Sequence, residues 1–279
     1  MTDHLDHTVI DEFRARNGRV GGPFEGARLL LLTTTGARTG TRHTTALGYL
    51  PDGGDRVLVI ASAGGSPRHP DWYLNLLAQP QVTVERGPFT YEAHAVPLAG
   101  EERDRSFARA VEADPGWARY QEKAGDRTLP VVALYESAAP PDTRAGSTGE
   151  AIRRVHDDLR HELALIRAEM ARSTGPTLGA QLRVNCLTFC QCLHQHTGQD
   201  TGLFPRLADR HPVAAPAPAR PDGGQQRIAT LADELKQAVW TAAGPAEARA
   251  EFERIASELE AHLTYGEEQV VPLLDRWTD

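Results

Sequence analysis

Lysine is nearly missing from this chain. Of its 30 basic residues only Lys123 and Lys236 are lysines, and the remainder are arginines. Set against 38 acidic residues they leave a formal net charge of −8, without the basic footprint of a dedicated nucleic-acid binder. Cysteine is scarce as well. The three, Cys186, Cys190 and Cys192, are odd in number and crowd one short segment, which excludes a disulfide scaffold. Their spacing of four and two residues on an expected helix reads as core packing. Long apolar runs are absent: aliphatic stretches such as Leu29 to Leu32 fall far short of the roughly 20 residues a membrane helix needs. No signal-peptide pattern opens the sequence, so the expectation is a cytoplasmic protein without a membrane span. What is present is ordinary for a globular protein, 40% hydrophobic and 24% charged, over 279 residues, a length suited to two domains. Histidine is the exception, with 11 residues, six of them after residue 150.

The sequence divides near its middle. Residues 137–150, SAAPPDTRAGSTGE, have linker composition and no apolar periodicity, leaving domains at 1–136 and 151–279. The first domain reads as β-rich. Strands are expected over 28–35, 43–50, 56–62, 81–85, 90–97 and 130–135, with helices near 7–16, 72–78 and 101–113. Strands joined by tight turns point to an antiparallel barrel or sandwich. The second domain reads as all-α. Ile152, Val155, Leu159, Leu163, Ile166 and Met170 form one stripe at helical spacing. Further helices are expected over 182–193 and on towards Phe204, over 228–239, and over 246–263 and past Gly266 to Trp277. A Pro/Ala-rich loop at 212–224 separates the second from the third, and the sum is a four-helix bundle.

Two loops of the first domain carry chemistry. Thr33 to His43 runs from a strand into Gly36-Ala37-Arg38-Thr39-Gly40-Thr41-Arg42, where glycines let backbone N–H groups approach an anion and arginines add charge. A phosphate suits it; a hairpin with solvated arginines is the plain alternative. Ala61-Ser62-Ala63-Gly64-Gly65-Ser66 follows the strongest strand and leads into a helix beginning near Trp72. Helix N-termini favour anions, and Trp72 and Tyr73 offer flat apolar surface for a ring system. The alternative makes Trp72 a core residue and the glycines a turn.

Taken together, residues 8–136 resemble the deazaflavin-dependent nitroreductase and quinone-reductase family. The resemblance rests on GGPFEGAR at 21–28, TTGARTG at 34–40, ASAGGSPRHPDWYLNL at 61–76, QVTVE at 81–85 and YQEKAGDRTLPVVAL at 120–134. It implies a split β-barrel that binds the 5-deazaflavin coenzyme F-420 and passes a hydride to quinones, nitro compounds or other conjugated acceptors. It implies that Arg38, Thr39 and Arg42 hold the coenzyme's phosphate and acidic tail. Ser62, Gly64 and Gly65 then line the deazaflavin, with Trp72 and Asn75 behind, and Tyr120 falls where some members place an active-site tyrosine. The sequence departs from the family pattern at Ala37 and Ala63, where basic residues are usual, at Ala46, where proline is usual, and at His43, where an arginine is expected. These departures leave less positive charge for a polyanionic tail. A barrel of this type also accommodates an ordinary flavin such as FMN.

The late histidines suggest a metal centre. His156 and His161 fall on the first bundle helix, His194 and His196 near the end of the second, and His262 on the fourth. Asp200 follows His196 by four residues and Glu267 follows His262 by five, a pattern able to build a di-iron site between helices. Residues 150–277 resemble the hemerythrin-like, His-His-Glu cation-binding family through VHDDLRHEL, HTGQDTGLFP and HLTYGEEQVVP. The resemblance implies His156, His196, Asp200, His262 and Glu267 as ligands. The pattern is damaged. A second alignment puts Gln195 and Gln199 at the ligand places, about 100° round the helix from His196 and Asp200. The third helix has no histidine, Gln225 and Gln226 standing there, and Gly266 replaces an acid usual in relatives. The expected site is weakened, mononuclear or absent.

The expected function is therefore an oxidoreductase acting on a small-molecule electron acceptor. The cofactor supplies the hydride, and Ser62 or Tyr120 donates a hydrogen bond to the developing anion. The alternative is a non-catalytic protein that binds flavin or iron or senses oxygen or nitric oxide. By analogy with split barrels, a homodimer is expected.

Overall fold

A computed structural model of the chain describes residues 2–52, 56–137, 142–143, 145–172, 181–196 except 183, 191 and 194, then 227, 230, 231, 233–235, 237 and 245–275. Asp200, His194, Gln225, Gln226, the Pro/Ala-rich loop and the expected extensions to Phe204 and Trp277 lie outside the described residues. The chain forms two compact units, Met1–Ala139 and Pro140–Asp279.

The first unit is a closed antiparallel barrel. Its strands are β1 (Leu29–Thr35), β2 (Arg42–Pro51), β3 (Arg56–Ile60), β4 (Gln81–Arg86), β5 (Phe89–Pro97) and β6 (Val131–Glu136). They pair in the order β4-β1-β2-β3-β6-β5, and β4 pairs again with β5 to close the ring. Closure gives each strand of the ring a hydrogen-bonded neighbour on both sides. The continuous apolar runs of the sequence follow from burial on both faces. In β1, Leu29 and Leu31 pack on Val9, Ile10 and Phe13 of helix α1 (Thr2–Ala15), while Leu30 and Leu32, on the opposite face, are also fully buried. In β3 and β6, Leu58, Ile60, Val131 and Ala133 pack on Ala110 and Phe107 of α3 (Gly100–Ala113) and on Trp117 of α4 (Gly116–Lys123). Each such leucine or isoleucine contributes about 1.5–3 kcal/mol by leaving water. The barrel also buries a charge: Arg86 is 2% exposed, with its guanidinium 6.0 Å from the Tyr49 ring and 5.9 Å from the Phe89 ring.

Helix α4 is absent from the sequence reading. Its eight residues are too few to show an apolar period. The Asp114 carboxylate accepts from the Gly116 N–H at 2.7 Å, and Gly125 beyond it takes φ +63. The remaining helix of this unit, α2 (Asp71–Ala78), follows the second glycine loop.

The second unit is helical. Its first helix, α5 (Thr148–Arg172), is started by a variant of the capping box: Ser147 Oγ accepts from the Glu150 N–H at 3.1 Å, and Glu150 Oε2 reaches one residue past the cap to the Gly146 N–H at 2.8 Å. Its stripe Val155, Leu159, Leu163, Ile166 and Met170 is buried, and Ile152 at its start is half-buried. Helical residues at 181–196 bury Cys186, Cys190 and Cys192, and those at 227–237 bury Leu231 and Leu235. Helix α6 (Pro245–Tyr265) buries Phe252, Ile255, Leu259 and Leu263, passes through a π-turn at Gly266–Val270 and ends in α7 (Val271–Asp275). No helix among the described residues is long and apolar enough to cross a membrane.

Candidate functional site

The loop between β1 and β2 is closed on itself. The Gly36 N–H donates to the Thr41 carbonyl at 2.8 Å and the Gly40 N–H to the Gly36 carbonyl at 2.8 Å. Thr39 turns its hydroxyl inward, where it accepts from the Thr41 N–H at 3.2 Å; a Cβ on Gly36 would lie 2.8 Å from that oxygen. A side chain at 36 would therefore force the Thr39 hydroxyl out of this position. Arg38 and Thr39 form the exposed tip. Arg42, also exposed, donates from Nη2 to Thr83 Oγ1 on β4, and that hydroxyl donates to Glu92 Oε1 on β5 at 2.6 Å. Asn75 on α2 uses both ends of its amide. Its oxygen accepts from the Ala37 N–H at 3.0 Å and its nitrogen donates to Thr34 Oγ1 at 3.2 Å. Asn75 thus ties the first loop to the helix that leaves the second.

The second loop bends through left-handed backbone. Ala63, Gly64 and Gly65 take φ of +48, +61 and +78. The turn is closed by the Gly65 N–H on the Ser62 carbonyl and the Ser66 N–H on the Ala63 carbonyl, both at 3.0 Å. Gly65 is buried against the Lys123 side chain of α4, whereas a Cβ on Gly64 would meet nothing within 4 Å. The loop thus has a packed side and an open side. Trp72 is buried at 7% exposure, with its edge on Tyr73 at 6.2 Å between ring centroids, so its indole is a covered wall. His69 lies against Tyr73 at 5.0 Å; burial, then the neighbouring Arg127, lowers its pKa. Tyr120 on α4 is 41% exposed and touches Trp117 at 6.0 Å. Ser62 is half-buried where the loop begins.

These residues fit a flat anionic coenzyme. Gly64 presents backbone to open space where a side chain would stand, and Arg38 and Arg42 supply cations near the first loop. Sequence reading gave no role to Thr83, Glu92, Lys123 or Arg127. Their partners are distant along the chain, and no spacing marks them.

In the second unit the structure gathers four of the five expected ligands, and Asp200 lies outside the described residues. His156 and His196 are buried with ring centroids 5.1 Å apart, and His196 and His262 are 6.4 Å apart. Gln195 is buried beside His196, so the helix turns both candidate registers inward. Burial, then His262, pushes the His196 pKa down to about 3, and burial, then His196, lowers that of His156. Both imidazoles are neutral at pH 7. Gly266 permits this approach, because a Cβ there would come 3.2 Å from His156 Cε1.

The carboxylate of Glu267 is already engaged. Arg160 donates to it from both terminal nitrogens, at 2.7 and 3.0 Å, and His156 Nδ1 lies 2.9 Å from Oε1. Burial pulls the Glu267 pKa up, but the bonds from Arg160 and His156 outweigh it and hold the group below the ordinary carboxylate range. The cation that neutralises this carboxylate is thus a guanidinium of the chain itself. Among the described residues, no three His, Cys, Asp or Glu side chains form a group able to hold a metal ion. The described residues do not fit an iron centre. Nearby, the buried Cys192 thiol donates to Asp158 Oδ2 at 3.4 Å.

Residues 6–136 match the family described as F-420H(2)-dependent quinone reductase, and residues 148–274 match the hemerythrin HHE cation binding domain. A putative F-420H(2)-dependent quinone reductase of Mycobacterium bovis is 39% identical over 125 residues, covering 44% of this chain and 83% of the relative. A quinone reductase of Mycobacterium tuberculosis matches with the same identity and coverage. Among solved structures, an F-420-H(2) dependent reductase (FDR-A) is 40% identical, covering 38% of this chain and 93% of its own, with a TM-score of 0.36. A chain described as a domain-swapped dimer is 34% identical, covering 48% of this chain and 98% of its own, with a TM-score of 0.37.

Proposed function

The chain belongs, through residues 6–136, to the F-420H(2)-dependent quinone reductase family, and from that premise we propose that its barrel reduces quinones, nitroaromatics or similar conjugated acceptors. When bound, the reduced coenzyme supplies the hydride. Every other task belongs to the chain. Arg38 and Arg42 hold the coenzyme's phosphate and acidic tail beside the first loop. The open side of the second loop, at Gly64, receives the ring at backbone distance, and buried Trp72 makes a rigid wall behind it. Ser62 and Tyr120 orient the acceptor, and a hydroxyl there donates a hydrogen bond to the oxygen that becomes negative. No side chain has to change protonation state for the transfer itself.

The observation that supports this reading best is the pairing of two glycine loops through Asn75, with Gly64 unobstructed. The experiment is a titration of reduced coenzyme F-420, and separately of FMN, onto the full chain, followed by addition of menadione. Loss of the coenzyme's reduced-state signal with menadione supports the proposal. Binding without turnover favours a sequestering protein, and absence of binding overturns the assignment.

For the helical unit, we infer a half-buried polar centre closed by Arg160 and His156 on Glu267 in place of an iron centre. Metal analysis of chain purified with ferrous iron present tests this. Two equivalents of iron with an oxo-bridge absorption band overturn it.

A further inference from the structure

Arg127 lies in the turn between α4 and β6, more than 60 positions from the loop it serves. Its guanidinium spreads over that loop's backbone. Nη1 donates to the Ala61 carbonyl at 2.8 Å, Nη2 to the Ser62 carbonyl at 2.6 Å and Nε to the Ser66 carbonyl at 2.8 Å. Nη1 also lies 3.3 Å from His69 Nδ1. The three carbonyls bracket the left-handed run Ala63-Gly64-Gly65 on both sides. Glycine takes such backbone freely, but Ala63 at φ +48 takes it against its own preference. The loop's two internal bonds close the turn without anchoring it to the barrel. The Ala61 N–H holds the loop's first residue to the Pro130 carbonyl at 2.9 Å, and Arg127 supplies the anchor for the rest. A planar fork of fixed donors suits three diverging carbonyls, and a lysine ammonium, a point charge on a flexible stem, cannot span all three. Among the described residues this guanidinium meets three carbonyls and an imidazole and no carboxylate, so it serves the backbone rather than an ion pair.

We propose that Arg127 is a positioning residue for the coenzyme ring, locking residues 61–66 in the left-handed form that keeps the Gly64 side open and Ser62 at its edge. The role rests on the reading of this loop as the ring's support. Arg127 touches neither ring nor acceptor; it acts through the backbone carbonyls alone.

The test uses Arg127→Ala and Arg127→Lys in the full chain, with two readouts. The first needs no coenzyme. Trypsin cuts after Arg68, at the end of the clamped loop, and cleavage there should quicken about tenfold or more in both variants, because cleavage follows the open population. The second is the coenzyme titration. The dissociation constant for reduced coenzyme F-420 should rise about tenfold or more in both variants, with kcat at saturating coenzyme changed far less. Free guanidinium ion should restore much of the affinity of Arg127→Ala, and lysine should not substitute for arginine. Wild-type cleavage at Arg68 in both variants overturns the proposal, as does full recovery of affinity by Arg127→Lys, which would reduce the residue to a charge. Should the alanine variant fail to fold, the lysine variant carries both readouts. If wild-type chain binds no coenzyme, the proposed function fails, and cleavage at Arg68 still decides whether the clamp exists.

Discussion

Gly64→Ala and Gly65→Ala are the same chemical change one residue apart, and the structure gives them opposite outcomes. Both residues have positive φ, +61 and +78, so each alanine incurs the left-handed backbone cost of about 1–2 kcal/mol. At Gly64 that is the whole cost, since a Cβ meets nothing within 4 Å. At Gly65 the new Cβ would stand 2.8 Å from Lys123 Cβ, 2.9 Å from Cδ and 3.0 Å from Cγ. The Lys123 Cβ is fixed to the backbone of α4 and cannot swing aside, so either helix or loop must shift. Overpacking of that kind adds about 1–3 kcal/mol, bringing Gly65→Ala to about 2–5 kcal/mol. Binding runs the other way. The Gly64 methyl projects into the space assigned to the ring and should weaken coenzyme affinity about tenfold or more, the equivalent of ~1.4 kcal/mol. The Gly65 methyl projects into protein. The assay is urea unfolding followed by tryptophan fluorescence, with Trp72 and Trp117 reporting on the barrel, beside coenzyme titration of each folded variant. Equal loss of stability in the two variants would refute the packing argument. Wild-type affinity in Gly64→Ala would refute the placement of the ring.

Other perturbations have equally definite outcomes. The His196 imidazole titrates near 3 when folded against 6.5 when unfolded, so between those values the unfolded chain holds the extra proton. Stability of the helical unit should therefore fall as pH drops below about 6.5, by up to ~1.4 kcal/mol per pH unit for that histidine, and a urea midpoint flat between pH 7 and 5 would contradict this. Asn75→Ala removes two hydrogen bonds worth about 0.5–1.5 kcal/mol each and frees the first loop from α2; coenzyme titration should show weaker binding with the barrel still folded. Arg160→Leu strips Glu267 of its strongest partner, leaving His156 alone against the upward push of burial, and carboxyl-carbon NMR titration should show its pKa rising.

Much of the fold is legible in the sequence because its causes are local. The six strands were expected where they occur, with ends shifted by a residue or two, since β-branched and aliphatic runs bounded by Gly and Pro report strand and turn directly. The apolar stripe of α5 shows which side is buried, but its start does not show: Ser147 and Glu150 cap the helix inside the segment 137–150 expected as linker, where Pro, Gly and Ser dominate the composition. Helix α4 escaped because two turns bounded by Pro115 and Gly125 carry no period.

The glycine loops, too, were visible as composition. Their asymmetry was not: that Gly64 is open and Gly65 packed depends on Lys123, nearly sixty residues away. The same division holds in the helical unit. Sequence placed His156, His196, His262 and Glu267 on helices of a bundle. Five residues of regular α-helix would set Glu267 about 140° round from His262. A π-turn at Gly266–Val270 changes that phase, and Glu267 meets His156 and Arg160. Sequence alone thus determined the six strands, the longer helices, their buried faces and the inventory of charged and glycine-rich loops, because period and turn chemistry act within a few residues. Tertiary structure alone decided barrel closure through β4 and β5, the clamp of Arg127 on residues 61–66 and the engagement of Glu267 by Arg160. Those partners meet across long stretches of chain, where nothing in the order of residues records which donor finds which acceptor.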